Sequence, residues 1–324
     1  MSFFVERPGI LSLVQDLGRW GHQSRGVTVS DPMDPFSLRI GNLMLGNDQN
    51  DAALEVTLVG LKITFQTECC IVATGADLNM KIDGVPSAAW IVHQVGPGTC
   101  LSMDGPASGG CRAYLCISGG IDVPMVMGSR STFLMAKIGG YEGRALKAGD
   151  LVHTCCPRPL WRRSAGFACP PELRPTNEEG EALQAMDGPQ IDAFTQKGID
   201  TFYGEAYTVT GEIDRMGYRL DGPKIEHKGS PDIVSDGIVR GSVQVPGEGK
   251  PIILMADRQT TGGYTKIAVV GTWSSARLAQ RMPGDVVRFE RVTEEEAASR
   301  LAAFEETMAV LDGMRATYRS RRAG

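Results

Sequence analysis

The sequence predicts a mainly β protein that folds as two β modules with a few short helices. Three observations support this fold class. The chain has 324 residues, a length typical of two domains rather than one. It contains 40 glycines and 18 prolines without a collagen repeat, a composition typical of many turns between short strands. From residue 53 onward, short apolar runs also alternate with turn residues.

The first module contains two kinds of predicted strand. Residues 61–65 and 78–82 alternate apolar and polar side chains, and the Asp-Gly dipeptide at 83–84 predicts a hairpin turn after the second run. Residues 69–73 and 114–117 are continuous apolar runs, which are typical of strands buried on both faces. The sequence therefore predicts sheets with both half-buried and fully buried strands.

A glycine-containing turn leads into a strand at three places, residues 96–103, 147–152 and 282–289. Its use in both halves of the chain indicates two related β modules. Between them, residues 157–184 carry five prolines and little periodicity, so we predict a linker there. The predicted order is a first β-barrel module, the Pro-rich linker, a second β-barrel module, and a C-terminal helix with a basic tail, at residues 1–156, 157–184, 185–292 and 293–324.

Two predicted helices carry clear end signals. Residues 35–45 place apolar side chains on one face, with Asp34 as the N-cap and Gly46 after the last turn. Thr293 and Glu296 form a capping box at the start of the C-terminal helix. An apolar stripe follows this box, at Leu301, Phe304, Met308 and Leu311. We expect the stripe to pack on the protein's own barrel, and a partner helix is the alternative.

Composition narrows the class of protein. The formal net charge of -5 and the pI near 5.5 argue against a nucleic-acid or anionic-membrane binder. The one basic run, residues 315–322, is interpreted as a frayed tail. Residues 1–18 contain no long apolar run, so they predict neither a signal peptide nor a membrane span. The eight cysteines include no C-x-x-C pair, and we expect reduced thiols in the cytoplasm.

Several motifs of catalytic proteins are missing from the sequence. The G-E-G-K run at 247–250 is followed by proline and lacks the spacing of a P-loop. Neither a G-x-G-x-x-G dinucleotide fingerprint nor a G-x-S-x-G nucleophile elbow is present. The four histidines are scattered, and the A-M-D-G run at 185–188 lacks the lysine of a biotin carrier. We therefore predict that the chain has no nucleotide, metal or covalent-cofactor site of its own.

Polar and glycine residues that recognise small polar ligands concentrate in four clusters. The fourth cluster is the richest, and it follows an apolar strand, where functional loops commonly begin. Each cluster has a structural alternative, since such residues also serve turns, surface ion pairs and capped loops. The clusters lie at residues 15–19 with 26–34, 128–132 with 139–144, 214–219, and 257–266.

The side chains of these clusters suit an amide or lactam ligand. Backbone N–H groups at Gly262 and Gly263 could approach a carboxylate or carbonyl oxygen. The Gln259 amide and the hydroxyls of Thr260 and Thr261 could pair with the donors and acceptors of an amide. Arginines elsewhere are candidate forked donors to a carboxylate or carboxyl-phosphate, at Arg130, Arg144 and Arg215.

Nine segments occur in one order over nearly the whole chain and together resemble a known family. They are L-V-Q-D-L-G-R, G-V-T-V-S-D-P-M-D, A-L-E-V-T, S-G-G-I-D-V-P, G-S-R-S-T, G-G-Y-E-G-R-A-L-K-A-G-D, D-R-M-G-Y-R-L, G-S-V-Q-V-P and D-R-Q-T-T-G-G-Y. The chain resembles the C subunit of bacterial 5-oxoprolinase, the KipA or allophanate-hydrolase-subunit-2 family. It departs from the family pattern at two places. Residues 30–32 are Ser-Asp-Pro where the family pattern has Ser-Gly-Ala, and Thr265 stands where the pattern has proline.

The resemblance implies two cyclophilin-like β-barrels and partner subunits. The partners would be a B subunit of the KipI or allophanate-hydrolase-subunit-1 type and an A subunit of the LamB/YcsF type. The assembly would open 5-oxoproline to glutamate with ATP hydrolysis, ATP being bound with the partner subunits. One alternative is the carboxyltransferase component of a urea carboxylase, which would require biotin. The other is a regulator that antagonises an inhibitor of a histidine kinase.

The predicted site centres on the fourth cluster, with help from the arginines. We predict catalytic roles for Asp257, Gln259, Thr260, Tyr264 and Lys266. We predict substrate-binding roles for Arg130, Ser131, Arg144, Arg215, Tyr218, Thr261, Gly262 and Gly263. No metal ligand is predicted. Because the chain carries no phosphate cradle, we also expect it to be catalytically silent without its partners.

Overall fold

The computed structural model describes residues 1–175 and 180–322. The chain divides into two compact units, each built mainly of antiparallel strands. The predicted mainly β class is therefore confirmed. The first unit comprises Met1–Arg19, Ser30–Thr176 and Phe304–Gly324, and the second comprises Trp20–Val29 and Asn177–Ala303.

The first unit contains two antiparallel sheets. Its strands are β1 Ser2–Pro8, β2 Leu11–Gln15, β3 Ala53–Thr57, β4 Leu61–Phe65, β5 Cys69–Asp77, β6 Met80–Ile82, β7 Val85–Pro86, β8 His93–Val95, β9 Cys100–Met103, β10 Ser108–Ile117 and β11 Leu151–His153. The six-stranded sheet has the order β11-β1-β4-β9-β6-β7, and the five-stranded sheet has the order β2-β3-β10-β5-β8.

Side chains from both sheets of the first unit form one hydrophobic core. On β4, Leu61, Ile63 and Phe65 are buried while the residues between them are partly exposed, as the alternating pattern predicts. Most of β5, in contrast, is buried, because helix α1 (Pro35–Leu45) covers the outer face of its sheet. The continuous apolar runs therefore do mark strands that are buried on both faces.

Helix α1 begins and ends where the sequence predicts. The Asp34 carboxylate accepts hydrogen bonds from the Ser37 backbone amide at 3.1 Å and from the Ser37 hydroxyl at 2.7 Å. Gly46 ends the helix in the left-handed conformation, with φ 74°. A Cβ on Gly41 would lie 2.7 Å from the Cys116 sulfur, so this glycine allows the helix to approach the sheet closely.

The second unit is built on an eight-stranded sheet. The strands of the second unit, including the two outside this sheet, are β12 Leu183–Asp187, β13 Tyr207–Ile213, β14 Gly217–Asp221, β15 Asp232–Gly237, β16 Ser242–Gln244, β17 Ile252–Leu254, β18 Thr261–Tyr264, β19 Lys266–Val270, β20 Val286–Val287 and β21 Phe289–Arg291. The other α-helices within residues 1–175 and 180–322 are α2 Gln196–Gly204, α3 Thr272–Leu278 and α4 Glu294–Arg321.

The eight-stranded sheet curls into a barrel-like form. Its strand order is β20-β13-β14-β17-β16-β19-β12-β21, with only the last pair parallel. The two edge strands, β20 and β21, are separated in the chain by Arg288 alone. Because one residue cannot cross the width of a flat sheet, the two edges must approach each other. Strands β15 and β18 form a separate two-stranded sheet.

The repeated Gly-Asp turn has the same local structure in both units. Asp150 accepts a hydrogen bond from the Lys147 backbone amide at 2.7 Å, and Asp285 accepts one from the Met282 amide at 2.9 Å. The glycine before each aspartate has a φ of 97°. The sequence repeat therefore corresponds to a repeated structural device, in which an aspartate stabilises a turn before a strand.

The apolar stripe of α4 packs on the first unit, as predicted. Phe304, Met308 and Leu311 are buried. The Phe304 ring contacts the Phe36 ring edge to face, with the centroids 4.6 Å apart. Leu301, in contrast, is an exposed member of the stripe.

The start of α4 is confirmed, and its predicted frayed end is wrong. The Thr293 amide donates to the Glu296 carboxylate at 2.8 Å, and the Glu296 amide donates to the Thr293 hydroxyl at 3.2 Å. Instead of fraying over residues 315–322, the helix continues to Arg321. The end is held because the Tyr318 hydroxyl donates to the Ala165 carbonyl at 2.9 Å.

The predicted domain limits differ from the observed units. Much of the predicted linker, 157–184, belongs to the first unit, where apolar burial of Trp161, Phe167 and Cys169 holds it. Residues 20–29 belong instead to the second unit, in which the Thr28 hydroxyl donates to the Ala256 carbonyl at 3.3 Å. The C-terminal helix is also no separate domain, because Phe304–Gly324 belongs to the first unit.

Candidate functional site

The third and fourth polar clusters meet in the second unit through a buried ion pair. The Arg215 guanidinium donates to both carboxylate oxygens of Asp257, through Nε at 3.1 Å and through Nη2 at 3.0 Å. The side chains are only 5% and 4% exposed. This bidentate pair joins the turn before β14 to the loop after β17. The two side chains are engaged with each other, and the predicted catalytic role of Asp257 and substrate-binding role of Arg215 remain predictions.

Lys266 also has a partner within the protein. Its ammonium lies 2.8 Å from the Asp236 carboxylate, and the lysine side chain is buried. This Lys266 hydrogen bond lowers the pKa of Asp236, and bonds from the Gly237 amide and the Gln190 side chain act in the same direction. Lys266 is thus held at the base of the β15–β18 sheet.

A cavity of about 420 Å³ opens beside the fourth cluster. This volume is in the range of small-molecule sites. Two residues predicted to be catalytic, Gln259 and Tyr264, line it together with Gln244 from β16. Strands β13, β14 and β17 and the turn between β13 and β14 supply the remaining wall, at Gly211, Glu212, Ile213, Asp214, Met216, Gly217, Arg219, Ile252 and Leu254.

The charged groups of this cavity are engaged by other groups of the protein. Arg219 Nε lies 2.9 Å from the Glu212 carboxylate, and both side chains are more than half exposed. Asp214 accepts hydrogen bonds from the backbone amides of Met216 and Gly217, at 2.7 and 3.1 Å. The inner wall is therefore mainly amide and apolar, which suits a small polar molecule with a carbonyl group better than a bare anion.

The other predicted residues of the fourth cluster hold the β15–β18 sheet in place. The Thr260 carbonyl accepts a hydrogen bond from the Ile238 amide at 3.0 Å. Thr261 and Gly262 pair with β15 through the backbone, and Gly263 follows them in β18. The predicted roles of Thr260, Thr261, Gly262 and Gly263 remain predictions.

Tyr218, predicted to bind substrate, is enclosed by the second unit. Its side chain is fully buried in the second unit. Its hydroxyl lies 3.2 Å from the Ala279 carbonyl and 3.4 Å from the Arg281 carbonyl. In this structure the Tyr218 side chain contributes to the core, and its predicted role in substrate binding remains a prediction.

The first and second polar clusters meet in the first unit around a buried carboxylate. Asp16 accepts hydrogen bonds from the hydroxyls of Ser129 and Ser131, at 2.5 and 2.8 Å, and from the Arg130 amide at 2.5 Å. Ser131 is fully buried, and its hydroxyl also accepts a bond from the Asp16 amide at 2.9 Å. Ser131 therefore organises the loop, and its predicted role in substrate binding remains a prediction.

The two predicted arginines of the first unit differ in their engagement. Arg144 donates to both oxygens of Asp150, at 2.8 and 2.9 Å, and to Glu142 at 2.8 Å. The hydrogen bonds that Arg144 donates, first to Asp150 and then to Glu142, raise the pKa of its guanidinium. Its guanidinium already donates to two carboxylates of the protein, and its predicted role in substrate binding remains a prediction. Arg130 donates through Nε to the Val123 carbonyl at 3.2 Å, and its predicted role remains a prediction.

The described residues, 1–175 and 180–322, contain neither a candidate metal site nor a candidate membrane span. Among them, no group of three or more His, Cys, Asp or Glu side chains lies close enough together to hold a metal ion. Over the same ranges, no helix has the length and apolar character needed to cross a membrane.

Comparison with known proteins identifies the family. The profile of the family described as "Carboxyltransferase domain, subdomain A and B" matches residues 25–291. The chain belongs to this carboxyltransferase-domain family. Among its curated relatives is the 5-oxoprolinase C subunit of Haemophilus influenzae, 41% identical over 285 residues, which are 88% of this chain and 89% of that protein. The protein of the same name in Escherichia coli is 36% identical over 297 residues, 90% of this chain and 92% of that protein.

The solved structures of two much larger enzymes contain a fold similar to that of this carboxyltransferase-domain chain. The crystal structure of the K. lactis urea amidolyase superposes with a TM-score of 0.89 at 31% identity, over 96% of this chain. That of the Kluyveromyces lactis urea carboxylase superposes with a TM-score of 0.85 at 30% identity, over 96% of this chain. The carboxyltransferase-domain chain covers only 20% and 29% of those two proteins.

Sequence reasoning missed Gln244 as a site residue. It lies in the segment G-S-V-Q-V-P, which contributed only to the family resemblance. All three residues of β16 are buried, so no alternation marks which side chain faces the cavity. Its proximity to Gln259 arises from the pairing of β16 with β17, which a single sequence does not reveal.

Proposed function

We propose that this chain is the C subunit of an ATP-dependent 5-oxoprolinase complex, which opens 5-oxo-L-proline to L-glutamate. The observation that carries the proposal is the similarity to two proteins of that name over about nine tenths of both lengths. Eight cysteines without a disulfide are consistent with a reducing compartment such as the cytoplasm.

The proposed substrate site is the cavity beside the Asp257–Lys266 loop. In the reaction, water adds to the lactam carbonyl carbon, the C–N bond breaks, and the ring nitrogen takes a proton to become the amino group of glutamate. Electron density moves onto the carbonyl oxygen as water adds. Hydrogen-bond donors held at that oxygen lower the barrier, and loss of one typically costs about 10²–10³ in rate. Gln259 and Tyr264 are the donors that this cavity offers among the predicted residues.

ATP is assigned to the partner subunits in this proposal. The glycine-rich turn at 247–250 does not fit a phosphate cradle, because Lys250 Nζ is engaged by the Asp221 carboxylate at 2.7 Å and by the Gly222 carbonyl. Partners of the KipI type and of the LamB/YcsF type would complete the enzyme. The role of this chain in the complex would then be to bind and orient the lactam.

A second candidate function is carboxyl transfer to urea or another amide. It is favoured by the family profile and by the TM-score of 0.89 with urea amidolyase. In that case biotin on a separate carrier would supply the carboxyl group, and the same cavity would hold the accepting amide. The third possibility, a regulator that binds a B-subunit homologue, needs no ligand in the cavity.

The decisive experiment measures glutamate formation from 5-oxo-L-proline by this chain co-purified with its partner subunits. We expect turnover that requires ATP and all subunits, with ADP released as glutamate forms. The chain alone should show no ATP hydrolysis above background. Turnover by the partners without this chain, or partner-independent ATP hydrolysis by this chain, would refute the proposal. Carboxylation of urea that depends on bicarbonate and a biotin carrier would instead establish the second candidate.

Variants of the loop test the position of the site. Gln259→Ala and Thr260→Val should leave assembly with the partners intact and reduce turnover by more than about tenfold, a barrier increase above roughly 1.4 kcal/mol. Gln196→Ala, on the exposed surface of α2, serves as the matched control. Normal turnover in both loop variants would move the site to another part of the complex.

A further inference from the structure

Three arginines of the first unit lie close together near the end of α4. Arg315 and Arg319 are one turn apart on this helix, and a Cβ on Gly46 would clash with the Nη1 atoms of both. Arg319 also donates through Nη2 to the Pro159 carbonyl at 3.0 Å. Burial first, and then repulsion from Arg315 and Arg163, lowers the pKa of Arg319. Arg163, Arg315 and Arg319 therefore form one group, which we call the arginine cluster.

The position of Arg163 is held by hydrogen bonds on both sides of it in the chain. Arg319 engages the Pro159 carbonyl, and the Tyr318 hydroxyl donates to the Ala165 carbonyl at 2.9 Å. Arg163 lies between these two points, and its side chain is half-buried. Within residues 1–175 and 180–322, this side chain forms neither a hydrogen bond nor an ion pair. The fold thus brings a half-buried cation towards two others without supplying it with a partner.

The arginine cluster carries more positive charge than its surroundings compensate. Among the described residues, Asp312 is the one carboxylate that pairs with the cluster, 2.6 Å from Arg315 Nη2. The C-terminal end of α1, which finishes at Leu45, adds about half a negative charge. About one and a half of the three positive charges are then left over. The formal net charge of the whole chain is -5, so a generally basic composition does not explain this excess.

The donors of the arginine cluster are accessible to a ligand. Arg315 and Arg319 each use Nη2 for their bond within the protein. Their Nη1 atoms form no hydrogen bond with the described residues, and neither these atoms nor the guanidinium nitrogens of Arg163 are buried. Guanidinium groups match the geometry of phosphate oxygens. A phosphate group also carries about 1.5–2 negative charges near pH 7, which equals the uncompensated charge of the cluster.

We propose that the arginine cluster binds a phosphate group on the surface of the first unit. The donors are the guanidinium groups of Arg163, Arg315 and Arg319. This site is independent of the proposed function, because the lactam cavity is formed by residues of the second unit. Arg163 precedes β12 in the chain, whereas the other two arginines belong to α4. A bound phosphate therefore ties the end of α4 to the segment around Arg163 and stabilises the first unit.

Thermal unfolding of the full chain tests this stabilisation. Inorganic phosphate is the probe, and sodium chloride at the same ionic strength is the reference, because salt alone screens the repulsion between the arginines. We expect 10 mM phosphate to raise the unfolding midpoint by about 2–4 °C relative to chloride, as for a dissociation constant of about 1 mM. An equal midpoint in the two salts would overturn the proposal.

Arg163→Gln removes one donor without breaking any hydrogen bond or ion pair within the described residues. It should abolish the rise caused by phosphate. In chloride it should be at least as stable as the wild type, because repulsion on Arg319 is relieved. Arg321→Gln is the matched control, since Arg321 is an exposed arginine at the end of the same helix, and it should keep the full rise. A full rise in Arg163→Gln would show that the cluster is not the site.

Direct binding is measured by NMR on the full chain labelled with ¹⁵N-arginine. The Arg163 guanidinium signal is identified by its loss in Arg163→Gln, and we expect it to shift with inorganic phosphate and not with chloride. A titration with ADP distinguishes two sources of the phosphate group. Tighter binding of ADP would assign the site to the phosphates of a nucleotide, and binding of phosphate at least as tight would assign it to the free ion. If the Arg163 signal shifts with neither compound, the proposal is wrong.

Discussion

The buried pair between Arg215 and Asp257 makes the sharpest prediction about stability. Both side chains are at most 5% exposed, and the two hydrogen bonds are 3.0 and 3.1 Å long. Arg215→Met leaves the Asp257 carboxylate buried without its main counter-charge. Removing one partner of a buried pair costs about 3–5 kcal/mol, because the remaining charge is uncompensated. For a unit of this size, that corresponds to a fall of roughly 10–15 °C in the unfolding midpoint.

The assay is a thermal and urea unfolding series with two comparisons. Arg215→Met combined with Asp257→Leu removes both charges, and it should be more stable than either single variant because neither member of the pair is left without the other. Arg219→Met is the matched control from the same segment. Its pair with Glu212 is 56% and 77% exposed, so loss of that pair should cost at most about 1 kcal/mol.

One result would refute this reasoning. If Arg215→Met unfolds within about 2 °C of the wild type while turnover falls, then the pair does not stabilise the fold. Arg215 would then be a group for the substrate carboxylate, as the sequence alone suggested.

Three further predictions concern the packing and the pH response. Phe304→Ala should lower the free energy of unfolding by about 3–5 kcal/mol, whereas Val310→Ala, at a position 53% exposed on the same helix, should change it by less than about 0.5 kcal/mol. Thr293→Ala removes the cap of α4 and should cost about 0.5–2 kcal/mol in urea unfolding, with Thr293→Ser close to the wild type. Burial lowers the pKa of His227, so the unfolded chain binds a proton more readily. Stability that is fully present above about pH 6.5 should therefore decrease as the pH falls below that value, and His227→Phe should flatten this dependence in urea unfolding at each pH.

Local features of the fold were predictable from the sequence. Helix α1, its Asp34 cap and the capping box of α4 depend on residues three or four apart, and such short-range chemistry is visible in one sequence. The alternation in β4 likewise follows from the pleat of a strand. Strand pairing is different, because β2, β3 and β10 are neighbours in the sheet and distant in the chain.

The site was less predictable because polar residues satisfy one another across the chain. Ser131 and Asp16 are 115 residues apart, and Arg215 and Asp257 are 42 apart. Composition identified these residues as chemically capable, but it could not reveal that their hydrogen bonds are already used. Gln244 is the opposite case. Its side-chain nitrogen is buried in a central strand and has no hydrogen-bond partner among the described residues. Nothing in the sequence indicates this.

The division of the chain also has a consequence for its synthesis. The first unit needs the end of α4, from Phe304 onward, which the ribosome delivers after all of Asn177–Ala303 has been made. At about 5–20 residues per second, the early strands wait many seconds for the helix that buries Phe36. Both segments of the second unit, Trp20–Val29 and Asn177–Ala303, are synthesised before Phe304. During translation, the unit that is begun first is therefore the one that is completed last.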